Sequence, residues 1–74
     1  MKLPIISPKK LIKLVEKIGF KEIRQKGSHK TFQHADGRIL TIAVHSKPIP
    51  PGLLNKIIKN DLMITREEFL KKLK

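Results

Sequence analysis

Between Lys21 and Val44 apolar residues alternate with polar ones, and two glycine turns, Gly27-Ser28 and Asp36-Gly37, cut the run into three pieces. A strand shows every second side chain to the same face, so this alternation reads as half-buried sheet, and glycine supplies the positive φ that a tight hairpin needs. A three-stranded antiparallel meander with one covered face is therefore predicted. Period two then assigns the faces: Ile23, Phe32, Leu40, Ile42 and Val44 point inward. Glu22, Arg24, Lys26, His29, Thr31, Gln33, Ile39, Thr41 and Ala43 point outward. His29 is thus expected on the open face beside Arg24 and Lys26 of the neighbouring strand, provided that no bulge at Gly27 shifts the register.

Helical spacing flanks the meander. Ser7 is placed as an N-cap with Pro8 at the first helical position, where its missing N–H costs nothing. Leu11, Ile12, Leu14, Val15 and Ile18 make the apolar face, and Gly19 stops the helix with Phe20 folding back towards Val15. Lys9, Lys10, Lys13 and Lys17 are read as a solvated face rather than a binding stripe. The segment His45-Ser46-Lys47-Pro48-Ile49-Pro50-Pro51-Gly52 is a stiff connection, because three prolines fix φ and remove donors. Leu53, Leu54, Ile57, Ile58 and Leu62 predict a second helix with Asn60 as its left-handed stop. Thr65 and Glu68 have the spacing of a capping box opening a short third helix over Phe69, Leu70 and Leu73, with Lys71-Lys72-Leu73-Lys74 expected to fray.

Length limits the rest. Seventy-four residues are read as one domain, 1–74, without internal repeat or linker; a chain of this size buries only about 60% of its unfolded surface. Cysteine is absent, which excludes a disulfide framework and a thiolate zinc site and suits a reducing cytoplasm. Met1–Ile6 is too short for a secretory leader, and no apolar run approaches the ~20 residues that span a bilayer. A cytoplasmic location and no membrane partner are expected. Seventeen Lys and Arg against six Asp and Glu give a net charge of +11. Such a field attracts polyanions, nucleic acid first and an acidic protein second. Most of the cations are lysines, mobile point charges suited to backbone affinity more than to base readout.

The chemistry-bearing residues converge on Arg24–Phe32. Histidine takes and gives a proton near neutral pH, and the cations around it, Arg24, Lys26 and Lys30 among them, favour an anionic substrate such as a phosphodiester. The plain alternative is a solvated turn histidine. His29, His34 and His45 lack the local spacing of metal ligands, and no cofactor is expected. A Ser28/His29 nucleophilic pair is disfavoured, since neighbours on a strand project to opposite faces. All three aromatics are Phe at apolar-face positions, which argues against base-stacking platforms.

The order helix, three-stranded antiparallel sheet, helix, with a short C-terminal helix and a basic surface, is an α+β arrangement that resembles the double-stranded RNA-binding domain. Particular residues go further. Gly19-Phe20, Arg24-Gln25-Lys26-Gly27-Ser28-His29 with Phe32, Thr41-Ile42-Ala43-Val44-His45, Gly52-Leu53-Leu54 with Ile57-Ile58, and Glu68-Phe69-Leu70 resemble the HicA toxin family of prokaryotic toxin–antitoxin modules. The likeness covers nearly the whole chain, and Gly-Ser-His after Arg-Gln is its most specific part; family members often carry Pro where this chain has Ala43. The resemblance implies an mRNA interferase with catalytic His29, neutralised by a HicB-type antitoxin.

Chemically, that role is workable without metal. His29 would act as general base on a ribose 2′-OH and then protonate the departing 5′-oxygen, with Arg24, Lys26 or Lys30 stabilising the phosphate and Ser28 contributing to RNA binding. A lone acid–base group predicts a slow nuclease unless His45 or a lysine fills the second place. His45 is read first as a cap of the Pro-rich turn and second as an accessory group, and His34 as solvated. An acidic antitoxin is expected to cover the open face around Arg24, Lys26, His29 and Lys30. Two other classes share the +11 charge: a non-catalytic RNA- or ribosome-associated binding module, and a small protein serving an acidic partner.

Overall fold

The computed structural model describes residues 4–73. Met1, Lys2, Leu3 and Lys74, which include the start of the segment read as too short for a leader and the end of the tail, lie outside the described residues. The chain runs α1 (Pro8–Ile18), β1 (Lys21–Lys26), β2 (His29–Gln33), β3 (Ile39–Ala43) and α2 (Pro51–Lys56). A π-helical segment (Ile57–Leu62) continues α2, and α3 (Arg66–Leu73) follows. The sheet is antiparallel in the order β1-β2-β3, the α+β arrangement that the sequence predicts.

The first helix begins and ends as its sequence dictates. The Ser7 Oγ accepts the backbone N–H of Lys10 at 3.2 Å. At the other end Gly19 has φ +119°, and the N–H groups of Phe20 and Gly19 donate to the carbonyls of Val15 (3.0 Å) and Glu16 (3.1 Å), the paired bonds of a Schellman motif. That turn drops Phe20 into a core it shares with Leu11, Leu14 and Val15 of α1, Phe32, Leu40 and Ile42 of the sheet, Leu54, Ile57, Ile58 and Leu62 of the second helix, and Phe69 of α3. Ile6 and Ile49 close the core from the connections, their segments joined by an Ile49 N–H to Ile6 carbonyl bond of 2.9 Å.

Five expectations are corrected. In β1 every residue is exposed, and Ile23, expected inward, is 54% exposed. The reason is a bulge: Glu22 pairs with Phe32 and Arg24 with Thr31, so Ile23 is the extra residue with no partner. In the second helix Leu53 is half exposed, and Asn60 is not the stop; the chain widens into the π-helical segment, which buries Ile57, Ile58 and Leu62 together, and ends at Met63 with φ +57°. Thr65 does cap α3, accepting the Glu68 N–H at 3.1 Å, but the helix runs on through Leu73 instead of fraying from Lys71. His34, expected in solvent, is half buried and structural.

His34 opens the five-residue β2–β3 connection, His34 to Arg38. The His34 N–H donates to the Arg38 carbonyl (2.8 Å) and the Gly37 N–H to the His34 carbonyl (2.9 Å), with Gly37 at φ +100°. Side chains then tie this turn to the helices. His34 Nδ1 accepts the Asp36 N–H at 3.1 Å, which leaves Nε2 as the donor to the Ile18 carbonyl (3.3 Å) at the end of α1, while the ring meets Phe20 edge-on at 5.2 Å. Arg38 donates through Nε to Asp36 Oδ2 (2.8 Å) and through its terminal nitrogen to the Leu62 carbonyl at the end of the π-helical segment, with its guanidinium 5.3 Å from the Phe20 ring centre.

Asp36 is held below its ordinary 3.8, chiefly because the Arg38 backbone N–H donates to its carboxylate, with the charge of Arg38 adding to the effect. A depressed folded-state value makes the carboxylate's contribution present above the unfolded pKa and lost as pH falls through the folded one. Melting temperature should therefore drop as pH is lowered below about 4, and Asp36→Asn should flatten that step. Arg38→Ala should cost roughly 1.5–3 kcal/mol in denaturant unfolding, and Arg38→Lys should recover little of it because lysine lacks the planar fork.

Candidate active site

The bulge at Ile23 determines which side chains meet. Beyond it Arg24 pairs with Thr31, Gln25 with Lys30 and Lys26 with His29, and across β2 the partners are Thr41, Ile42 and Ala43 in turn. Cross-strand partners share a face. Ile42 is buried, so its row, Gln25-Lys30-Ile42, looks towards the helices, and the rows on either side look away. The open face is therefore built of Arg24-Thr31-Thr41 and Lys26-His29-Ala43, with Gln33 and Ile39 at its far end. Both rows lie where period two predicts, because the inserted residue precedes them and the Gly27-Ser28 turn adds none.

That turn is a two-residue hairpin in which only the first central residue, Gly27 at φ +60°, has positive φ, as a type II′ turn requires. The Gln25 side-chain amide donates to the Gly27 carbonyl at 3.1 Å, and the Ser28 carbonyl accepts the Val44 N–H, holding the turn to the chain beyond β3. His29 is thus the first residue of the central strand, directly opposite Lys26. Directly opposed residues bring their Cβ atoms to about 5 Å, and the diagonal neighbour, here Arg24, lies within reach of a long side chain. His29 is exposed, and among the described residues its ring makes no hydrogen bond. Both nitrogens are available to a substrate. Beside it the hydroxyls of Thr31 and Thr41 are 3.2 Å apart on the open face, a polar pair that alternation marks as outward but that no motif singles out.

Lys30 does not join this group. It projects to the other face, where its Nζ lies 3.4 Å from Glu22 Oε1, and the bulge explains the encounter: Glu22, expected outward, sits before the inserted residue and shares the face of Phe32. His45 is exposed and lies two residues beyond Ala43, the partner of His29 on β3. It lines a small groove of about 40 Å³ with Thr41, Ala43, Ile49, Pro50 and Leu53. Ser28 is exposed at the turn. Among the described residues no three His, Asp or Glu side chains gather as a metal site would need, and no helix is long and apolar enough to cross a membrane.

A solvent-facing imidazole beside two cations of the neighbouring strand, on a surface with no acid in its rows, can accept a proton from a hydroxyl while the cations hold an anion beside it. No curated protein matches the chain. Residues 8–61, from the first turn of α1 through the whole sheet to the π-helical segment, match the HicA toxin of bacterial toxin–antitoxin systems, and the chain belongs to that family.

Proposed function

We propose that the protein is a metal-independent endoribonuclease acting on mRNA in the cytoplasm, the toxic half of a module whose HicB-type antitoxin covers its open sheet face. The observation that carries this reading is His29: exposed, without an internal partner, and flanked by Lys26 and Arg24 on one face. His29 takes the proton from a ribose 2′-OH, whose oxygen attacks the adjacent phosphorus. The P–O5′ bond breaks, and the imidazolium returns the proton to the departing 5′-oxygen, leaving a 2′,3′-cyclic phosphate and a 5′-OH. Lys26 and Arg24 stabilise the charge that accumulates on the phosphoryl oxygens, and Ser28 at the turn offers its hydroxyl to the RNA backbone. Lys30, engaged with Glu22, adds to the field but not to the contacts. His45 is the candidate for the second acid–base place, from beyond the strand edge that faces His29 across Ala43. The chain 1–74 acts as one toxin domain in this reading.

Without a residue to orient the imidazole, the substrate itself must do so, and the rate should be low for a nuclease. Expression of wild-type protein alone should arrest growth with loss of mRNA. His29→Ala should remove at least ~10² of the cleavage rate and change stability by no more than about 0.5 kcal/mol; equal toxicity of the two would end the catalytic assignment. Cleavage should persist in EDTA and fail on 2′-deoxy-substituted RNA, and mass spectrometry should find the cyclic phosphate. Activity lost to chelator and restored by a divalent ion would favour a metal nuclease instead.

The same face suits the antitoxin. Opposite charge would steer the encounter with Arg24 and Lys26, while the half-exposed Ile39 gives an apolar contact to desolvate. Arg24→Glu with Lys26→Glu should weaken RNA and antitoxin binding together in titrations at two salt concentrations; loss of one ligand alone would separate the two surfaces.

A further inference from the structure

A second cationic feature lies in the helical layer. Lys10, Lys13 and Lys17 recur at i, i+3 and i+7 and so form one stripe of α1, about 10 Å long at 1.5 Å per residue. They do not stand on a flat face. With Leu14 beneath and Lys72 and Leu73 of α3 opposite, they line a cleft of about 140 Å³, against the roughly 10–15 Å³ that one water needs. Among the described residues no acidic side chain lines the cleft, and none of its four lysines makes an ion pair. Four lysines that line one cleft with no counter-charge among the described residues repel one another, an arrangement relieved by an anion that enters between them.

We propose that this α1–α3 cleft is a phosphate-backbone anchor for RNA, separate from the open sheet face and adding affinity without chemistry. The proposal rests on the ribonuclease reading for the identity of the polyanion. A phosphodiester chain fits the cleft better than an acidic protein does. Lysines bind phosphate as point charges through retained water and release counterions, and need no dry centre. A protein partner would need an aromatic, arginine or apolar anchor in a desolvated pocket, and the cleft offers only the edge of Leu73 above a buried Leu14. The molecule measures 33 × 29 × 20 Å, so one RNA can touch both surfaces. One wall comes from α1, within the family-matched residues 8–61, and the other from α3, beyond them.

The test is salt-dependent binding of a fluorescein-labelled mixed-sequence RNA oligonucleotide, measured by anisotropy in a His29→Ala background so that nothing is cleaved. Lys13→Gln with Lys17→Gln should weaken binding and reduce the slope of log K against log salt by roughly 1.4–1.8, the release expected for two phosphate contacts. Lys72→Gln should act in the same direction. The control, Lys9→Gln with Lys59→Gln, removes the same charge from exposed positions outside the cleft and should leave the slope nearly unchanged. Thermal melts of each variant check folding. Equal slope changes in cleft and control variants would overturn the proposal in favour of a diffuse field. An unchanged RNA slope with lost antitoxin binding would overturn it and reassign the cleft to an acidic protein. Failure of the ribonuclease reading is scored separately, as absence of cleavage by the His29 protein.

Discussion

One turn holds the two layers together. The five residues between β2 and β3 are too few to bury much, yet the side chains of the first and last, His34 and Arg38, reach both helices. His34 donates to the last carbonyl of α1, that of Ile18, and Arg38 to the last carbonyl of the π-helical segment, that of Leu62. Helix C-termini present unsatisfied carbonyls and partial negative charge, so a ring N–H and a guanidinium are suitable partners, and the sheet is clamped to the helices at their weakest ends. Asp36 holds Arg38 in place, and Phe20 sits beneath both side chains. Gly19 completes the fit: a Cβ there would stand 3.0 Å from His34 Nε2, so the residue that ends α1 also makes room for the group that caps it.

With the layers clamped at that end, the sheet is free to leave its other face uncovered, and the bulge decides what the face displays. One inserted residue, Ile23, moves Glu22 to the helical side while Arg24 and Lys26 keep the open side. The acid is thereby taken away from His29 and spent on Lys30. A strand without the bulge, kept in the same turn register, would put Glu22 on the open face with the cations. Charge separation between the two faces of a small sheet is thus the product of a single backbone irregularity.

Most of this architecture is legible in the sequence, because amphipathic period and punctuation agree: Ser7-Pro8, Gly19, Gly27-Ser28 and Thr65-Glu68 each stand at an element boundary. The open-face position of His29 is legible for the same reason. What alternation could not carry is the bulge, since an inserted β-branched residue looks like any inward strand position until its partner is known. The stop at Met63 is hidden likewise; Asn60 is the better left-handed residue by propensity, but burial of Leu62 carries the helix past it. His34 and Arg38 were unreadable because their partners, the carbonyls of Ile18 and Leu62, lie far away in sequence and carry no side-chain signature. The lysine cleft is half legible: the stripe on α1 shows in its spacing, but only packing of α3 against it makes a concavity.

The exposed outer strand has a consequence for how copies of the molecule meet. β1 lies at the sheet edge, where unpaired backbone groups invite another strand to dock, the usual start of aggregation. Lys21, Arg24 and Lys26 along that edge repel an identical edge, and the kink at Ile23 spoils the straight ladder that pairing would need. Colloidal stability and attraction for a polyanion therefore come from the same side chains. A ligand that neutralises them also removes the barrier to self-association, so the protein keeps its copies apart most effectively when it is unbound.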